Sequence, residues 1–221
     1  LDCYQDVVCS VAPQAYAETV NKAYGNPFSI MGENAYASHP DVFVKRKLGW
    51  LAANQIRNVS TQGTHRLYPL ESNDGKLKGL QINLPNPVVA EGTRFDTLYI
   101  EYRDAIGIDR YMKRLDRLES GEVHPFTARY KPDGDIDREG VLLFLRDSSE
   151  DDGNRTETVL LDMHPTTSYN VNGSIKWPGN PGKFADAILA KGESYTFAGG
   201  LTIHTQGLTS DGGVDVEVSF D

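Results

Sequence analysis

Histidine is the residue whose spacing would first reveal hydrolytic zinc chemistry in this sequence. A catalytic zinc site takes about three protein ligands, an open position for water and a base that accepts a proton from that water. The chain contains five histidines, of which none is spaced i, i+4 from another and none is followed by glutamate: His39, His65, His124, His164 and His204. The histidines therefore provide no zinc-hydrolase ligand set.

Carboxylates at alternate positions form a second candidate site, for a hard cation such as calcium. Asp133, Asp135 and Asp137 fall in one glycine-containing turn, and closely spaced carboxylates supply the oxygen ligands that calcium takes. A second acidic loop contains Asp147 and the run Glu150-Asp-Asp152. Solvated acidic turns are the commoner explanation of such loops, and calcium binding is the alternative at each.

Glycosylation sequons and a cysteine pair indicate the compartment. Asn58, Asn154 and Asn172 each begin an Asn-x-Ser/Thr triplet in a polar, turn-rich stretch, as surface N-glycosylation sites do. Cys3 and Cys9 are the only cysteines, and their close spacing suits a local disulfide, with two unpaired thiols as the alternative. These features favour a secreted, extracellular glycoprotein.

The charge balance excludes one class of partner. The net charge is −9, and the only basic run, Lys45-Arg46-Lys47, is better explained by a solvated helix face than by a binding patch. Nucleic-acid binding is excluded because it needs clustered Lys and Arg. No apolar run approaches the roughly 18 residues of a membrane-spanning helix, so we expect no membrane span.

The first part of the chain predicts helix, turn, helix. Apolar residues recur every four positions and Pro13 suits a first helical turn; the repeating residues are Ala12, Tyr16, Val20 and Tyr24. Pro27 disfavours helical geometry in Asn26 and so ends this helix.

A second helix is predicted to follow. Ser38 is its expected N-cap, with Asp41 in the first turn complementing the helix dipole. Val42, Phe43 and the stretch 48–50 are expected to form its buried side.

From about Gly63 onward the apolar period changes to two, which predicts strands. At 98–103, Leu98, Ile100 and Tyr102 define one face, opposite Tyr99, Glu101 and Arg103. The predicted strands lie at 64–70, 80–84, 98–102, 141–145 (buried on both faces), 158–163, 194–197, 201–205 and 214–220. About eight strands between turn signals predict an antiparallel β-sandwich. We therefore predict a small helical segment at 1–60 and a β-sandwich domain at 61–221.

One segment breaks the strand pattern. Apolar residues at helical spacing between Gly107 and Gly121 predict an inserted amphipathic helix; they are Ile108, Tyr111, Met112, Leu115 and Leu118. We expect this helix to cover one open end of the sandwich, with a docking surface as the alternative.

Nine short phrases follow one another along the chain. They are Tyr24-Gly-Asn-Pro-Phe-Ser-Ile-Met31-Gly32-Glu33, Leu48-Gly-Trp-Leu51, Gly63-Thr-His-Arg-Leu-Tyr-Pro-Leu-Glu71, Tyr99-Ile-Glu-Tyr-Arg-Asp104, Gly140-Val-Leu-Leu-Phe-Leu145, Leu160-Leu-Asp-Met163, Asp186-Ala-Ile-Leu, Gly192-Glu-Ser-Tyr-Thr-Phe197 and Gly200-Leu-Thr-Ile203. In this order they resemble gametolysin-like and immune-inhibitor-A-like secreted zinc metallopeptidases of the metzincin type. The resemblance covers most of the chain.

The resemblance implies a role for Met31 and Gly32. In these families a methionine turn forms an apolar floor beneath the zinc-bound histidines, without bonding to the metal, and Met31 is expected to hold that place. A gap-filling core methionine would be buried in nearly the same way. The families' His-Glu-x-x-His helix is absent from the sequence, and Leu1-Asp2-Cys3 resembles the stretch just after the third zinc-binding histidine.

The resemblance therefore implies that the chain begins just downstream of a zinc site. Residues 1–60 would then complete the lower part of the catalytic domain, zinc would be held by a missing N-terminal segment or chain, and these 221 residues alone would be inactive. The first hypothesis is the C-terminal portion of a secreted zinc metalloendopeptidase acting on extracellular or cell-wall protein or glycoprotein. The alternatives are a non-catalytic protein of a matrix, wall or filament, and a carbohydrate-binding sandwich. Trp177 is the candidate stacking residue of such a sandwich, although packing over its proline-rich turn is the commoner role of a tryptophan there.

Overall fold

The computed structural model describes residues 2–4, 21–23, 28–29, 39–90, 93–104, 106–109, 140–150, 158–163 and 187–221. These residues form two β-sheets, one short α-helix and a few turns of 3-10 helix.

The elements follow one another in this order. They are β1 (Asp2–Tyr4), β2 (Asn21–Ala23), α1 (Val42–Lys47), a 3-10 turn (Ala53–Gln55), β3 (Ile56–Val59), β4 (Gly63–Leu67), β5 (Gly79–Ala90), β6 (Thr93–Glu101), β7 (Gly140–Arg146), a 3-10 turn (Ser148–Glu150), β8 (Val159–Leu161), β9 (Leu189–Ala190), β10 (Ser194–Thr196), β11 (Leu201–Leu208) and β12 (Val214–Phe220).

The strands make a large and a small sheet. The large sheet has eight strands in the order β2-β1-β8-β7-β6-β5-β3, with β9 paired to β7. The small sheet has the order β10-β11-β12-β4 and is antiparallel throughout. The predicted mainly-β, two-sheet architecture is confirmed. The antiparallel prediction is wrong for the large sheet, where β1 pairs with β8 and β3 with β5 in parallel.

The main core lies between the two sheets. Alternate apolar residues of β5, β6 and β7 meet those of β11 and β12, as the period of two predicts. The buried strand centres include Ile82, Ile100, Leu143, Ile203 and Val216. All seven residues of β7 are buried, which confirms a strand covered on both faces.

A second core covers the other face of the large sheet. It joins α1 to β6, β7 and β8 through Val42, Phe43, Tyr99, Phe144 and Leu160. The rings of Phe43 and Tyr99 lie 5.3 Å apart. Because this face is buried too, polar residues on it are enclosed by protein.

A glycine permits the close packing of α1 on the sheet. A Cβ added to Gly79 at the start of β5 would lie 2.6 Å from Cγ2 of Val42 and 3.1 Å from the carbonyl oxygen of Ile100. No side chain fits into that space without moving the helix, so the first turn of α1 lies directly on the backbone of β5.

The N-terminus of α1 differs from the prediction. Asp41 is the N-cap, and its Oδ1 accepts a hydrogen bond of 2.9 Å from the amide of Val44. The predicted cap, Ser38, lies outside the described residues. Asp41 takes the capping position because its extended backbone and short side chain bring the carboxylate to the free amides of the first turn.

The phrase Leu48-Gly-Trp-Leu51 forms the C-terminal stop of α1. The amide of Gly49 donates to the carbonyl of Arg46 and the amide of Trp50 to that of Lys45, which is a Schellman motif with Gly49 at φ +73°. This reversal turns Leu48 and Trp50 outward, and they are 53% and 61% exposed. The prediction that both are buried is wrong, whereas the burial of Val42 and Phe43 is confirmed.

The prediction that the first helix continues through residues 21–23 is also wrong. Residues 21–23 form β2, in which Lys22 pairs with Cys3 of β1. Strand pairing with a distant segment here overrides the local helical period. The rest of that helix lies outside the described residues. So does the predicted inserted helix, apart from the 3-10 turn at 107–109.

The predicted domain division at residue 60 stays a prediction. Strands β1, β2 and β3, which precede that residue, belong to the large sheet.

Candidate functional site

Buried charged side chains gather where α1 meets the end of β6. We call them the Arg103 cluster, which consists of Asp41, Lys45, Glu71, Glu101, Arg103 and Asp109. The side chains of Glu71, Glu101, Arg103 and Asp109 are all at most 1% exposed. Burying ionised groups to this extent destabilises a fold unless each is paired and hydrogen-bonded, so every partner matters.

Strand alternation places the centre of the cluster. Leu98, Ile100 and Tyr102 point into the core between the sheets. Glu101 and Arg103 therefore lie on the opposite face, beneath α1. The second core covers this face of the sheet. The two charged side chains are therefore surrounded by protein groups, whereas on an uncovered strand they would be in water.

Arg103 connects two carboxylates and two backbone carbonyls. Its Nε donates to Oε1 of Glu101 at 2.7 Å and its Nη1 to Oδ2 of Asp109 at 2.8 Å. Nη1 and Nη2 also donate to the carbonyl oxygens of His39 and Pro40, at 3.2 and 3.1 Å. A guanidinium presents its N–H donors in one planar fork, so this side chain holds the end of β6, the 107–109 turn and the segment before α1 together.

The carboxylates of the cluster accept hydrogen bonds, including two from backbone amides of the same segment. Oε2 of Glu101 accepts from the amide of Val42 at 2.6 Å, and Oδ1 of Asp109 accepts from the amide of His39 at 2.8 Å. Oδ2 of Asp41 accepts from the hydroxyl of Thr158, just before β8, at 2.7 Å. The backbone from residue 39 to 44 is thus bonded to the large sheet at several points.

Two buried lysines hold the loop after β4. Nζ of Lys45 donates to the carbonyl of Leu70 at 3.0 Å, and Nζ of Lys78 donates to the carbonyl of Pro69 at 2.9 Å. Lys78 also forms a 2.6 Å ion pair with Asp74. The predicted solvated face at 45–47 is therefore wrong for Lys45, which is 6% exposed, because its ammonium group is bonded to the carbonyl of Leu70 inside the protein.

Burial dominates the electrostatics of the cluster. It raises the pKa of Glu101 to about 7 against the lowering effect of the Arg103 charge, and it also raises the pKa of Asp41. Burial and a hydrogen bond to Asp109 raise the pKa of Glu71 to about 9. Burial acts on Asp109 in the same direction, but the hydrogen bond from Glu71 and the charge of Arg103 lower its pKa overall.

Burial has the opposite effect on the basic groups of this region. It disfavours their charged forms and so lowers the pKa of Lys45 and of His39.

The cluster does not fit a zinc ion. Glu101 and Asp109 are turned toward the guanidinium of Arg103, whose positive charge repels a divalent cation. His39 contributes its backbone amide, rather than a ring nitrogen, to the bond with Asp109. Within the described ranges, no group of at least three His, Cys, Asp or Glu side chains is placed to hold a metal. We therefore derive no catalytic step through zinc from these residues.

A serine–histidine contact on the small sheet is not an activated nucleophile. The hydroxyl of Ser194 lies 2.8 Å from Nδ1 of His204 across the β10–β11 pair. The same Nδ1 lies 3.0 Å from the carbonyl oxygen of Glu193, which can only accept a hydrogen bond. With Nδ1 donating to that carbonyl, the ring has no lone pair at Nδ1 that could take a proton from Ser194.

Most of the site residues predicted from the sequence lie outside the described residues. These are Met31, Gly32, Cys9, Asp133, Asp135, Asp137, Asn154, Asn172 and Trp177. The methionine turn, the disulfide and the calcium loop at 133–137 therefore stay predictions. Cys3 lies in β1, and Asn58 lies exposed in β3. In the second acidic loop, Oδ1 of Asp147 accepts from the amide and hydroxyl of Ser149.

The sequence does not predict the Arg103 cluster. The alternation at 98–103 puts Glu101 and Arg103 on the face away from the core but does not indicate that α1 covers that face. Tyr99, on the same face, is the one signal for a cover, because a large aromatic residue favours burial.

No protein-family model matches the chain, and no curated protein or solved structure matches it either. Among the described residues, no helix is long and apolar enough to cross a membrane.

Proposed function

We propose that this chain is the portion of a secreted zinc metalloendopeptidase that follows the zinc-binding helix, and that its sandwich is the base on which the catalytic segment rests. Support comes from the ordered phrases of the sequence and from what one of them builds. The phrase Tyr99–Asp104 supplies Glu101 and Arg103, the centre of the buried cluster.

One observation carries the proposal: Arg103 is bonded to the backbone of His39 and Pro40. These residues connect the methionine-turn phrase with α1. Phe28 and Ser29, within that phrase, are 1% and 0% exposed, and Phe28 packs in the second core with Val42. The sandwich thus contacts Phe28, inside the phrase that the resemblance assigns to the methionine turn, and also His39 and Pro40, which follow it.

This arrangement suits a supporting role. A methionine turn works as a floor only if its backbone is held still, and a network of buried ion pairs on a rigid sheet holds backbone in place. In this proposal the zinc ligands lie on an N-terminal segment or chain outside these residues. Extracellular protein or glycoprotein is the proposed substrate, and calcium at 133–137 is a proposed further ligand.

The test is to isolate the natural protein with an antibody against the last strand and to measure its intact mass, peptide map and zinc content. We expect a longer polypeptide, or a tightly associated chain, that carries His-Glu-x-x-His and holds zinc. We expect chelator-sensitive proteolysis from that material and none from recombinant residues 1–221.

A natural protein without such a segment, without zinc and without proteolytic activity would contradict the proposal. That result would favour the non-catalytic matrix, wall or filament protein. Retention of the isolated protein on a polysaccharide column, with free sugar as competitor, would instead favour the carbohydrate-binding sandwich.

A further inference from the structure

Glu71 has a buried carboxyl oxygen that accepts no hydrogen bond from the described residues. Glu71 has a side chain that is 1% exposed, and its Oε2 accepts a hydrogen bond of 3.3 Å from the amide of Asp104. Its Oε1 is buried and receives none from any donor in the described part of the chain. Nε of Arg103 is 3.8 Å away and donates to Glu101 at 2.7 Å. A buried carboxylate oxygen left in this way is strongly destabilising.

A second buried carboxyl group, that of Asp109, lies beside Glu71 and explains why this oxygen accepts no hydrogen bond. The carboxyl groups of Glu71 and Asp109 lie close enough for a hydrogen bond, which raises the pKa of Glu71 and lowers the pKa of Asp109. Two ionised carboxylates only accept hydrogen bonds, so one member of the pair must carry a proton. Asp109 receives bonds from Arg103 Nη1 and from the amide of His39, both at 2.8 Å, as an anion does. The proton therefore lies on the carboxyl group of Glu71, which is the donor of the pair.

We propose that Glu71 and Asp109 share one proton at neutral pH, and that loss of this proton is a pH switch that releases the segment 39–47 from the sandwich. The switch stands on the geometry of the Arg103 cluster and does not depend on the proposed function.

The charges around Glu71 explain why the proton matters. Among the described residues, four charged groups act directly on Glu71; they are Lys45 of α1, Lys78 just before β5, Arg103 after β6 and Asp109 of the 107–109 turn, while Asp104 bonds it through its backbone amide. The other titratable members of this region, His39, Asp41 and Glu101, lie around Arg103. Lys78 is already paired with Asp74. Deprotonated Glu71 would add a carboxylate beside Asp109, and Arg103 would then have to balance Glu71, Glu101 and Asp109. The bonds from Arg103 to His39 and Pro40 would weaken as a result.

The linkage between proton binding and folding determines how the stability of the protein changes with pH. The pKa of Glu71 is raised from 4.5 to about 9 in the folded protein. Between these values the folded state holds a proton that the unfolded state has lost. Its stabilising effect is complete below pH 4.5 and disappears as the pH rises toward 9, so unfolding releases a proton in this window.

The test compares denaturant unfolding of the wild type and Glu71→Gln between about pH 6 and pH 8. Glutamine keeps the shape and the neutral state, and its amide can donate to Asp109. The ratio of unfolding equilibrium constants, wild type over variant, should rise about tenfold per pH unit, because one proton separates the two proteins. Titrations shared by both proteins, including that of Glu101, cancel in this ratio. The exposed substitution Glu217→Gln is the control and should give a flat ratio.

A flat ratio for Glu71→Gln would overturn the shared proton. If that variant does not fold, carboxyl carbon resonances of ¹³C-glutamate-labelled wild type give the same answer. We expect one glutamate carboxyl to titrate near pH 9 in the folded protein, and titration of all of them below pH 8 would overturn the proposal.

Hydrogen exchange tests separately whether loss of the proton releases the segment 39–47. Hydrogen exchange of peptides from 39–47 should be at least tenfold faster in the wild type than in Glu71→Gln at about pH 9, with no difference at about pH 6. Comparison at equal pH removes the intrinsic effect of base. Equal protection at both pH values would show that the proton does not control the segment.

Discussion

The amide of Val42 donates a hydrogen bond of 2.6 Å to Oε2 of Glu101, although the two residues are 59 positions apart in the chain. The bond joins the first residue of α1 to the last residue of β6. A six-residue helix is too short to be stable alone, so contacts of this kind determine whether α1 forms at all. The stability of α1 should therefore follow that of the large sheet.

Removal of Arg103 should be costly. Arg103→Gln leaves Glu101 and Asp109 buried without their cation, and breaking a buried ion pair in this way costs about 3–5 kcal/mol of the free energy of unfolding. Arg66→Gln is the matched control, because Arg66 forms a 2.8 Å ion pair with Asp215 at an exposed position. It should change the stability little. Urea unfolding of both variants measures the difference, and similar losses would show that burial of the cluster adds nothing.

An added methyl group should separate α1 from the sheet. Gly79→Ala places a Cβ 2.6 Å from Val42, and overpacking of this kind costs about 1–3 kcal/mol. Gly63→Ala in β4 is the control, since the nearest atom to its Cβ, Nε2 of His65, would be 3.9 Å away. Thermal unfolding should show a lower melting temperature for Gly79→Ala alone. A wild-type melting temperature for that variant would mean that α1 does not lie on β5 as described.

The two faces of β12 should respond differently to truncation. Val216 is fully buried between the sheets, and Val216→Ala should cost about 1–3 kcal/mol through lost burial and the cavity that remains. Glu217 is exposed, and Glu217→Ala should stay within about 0.5 kcal/mol. Denaturant unfolding tests the pair. Equal losses would mean that both faces of the small sheet are covered.

Alternation in the sequence predicts the sandwich well, because a period of two fixes which face of a strand enters the core. The pattern of Val214, Val216 and Val218 is enough to place β12 in its observed orientation. The continuous apolar run 141–145 likewise predicts a strand enclosed on both faces.

The Arg103 cluster could not be predicted in the same way. Whether Glu101 and Arg103 meet water or protein depends on α1, which is contributed by a segment about sixty positions earlier, and no local pattern records that contact. The same holds for Lys45, whose sequence neighbours Arg46 and Lys47 are exposed. The outward turn of Trp50 follows from the positive φ of Gly49, a stop signal that apolar periodicity alone does not register.

Native-state hydrogen exchange of the backbone amides of Val42 and Val44, followed by NMR in the wild-type protein, tests most directly whether the Arg103 cluster holds the segment 39–47 to the sandwich. Both amides donate to buried carboxylates of the cluster. Between about pH 7 and pH 8 we predict that they open with nearly the same free energy as core amides of β6 such as Ile100, because the helix can leave only when the sheet unfolds. Exchange at a far lower free energy, as in a helix that frays independently of the sheet, would contradict this account.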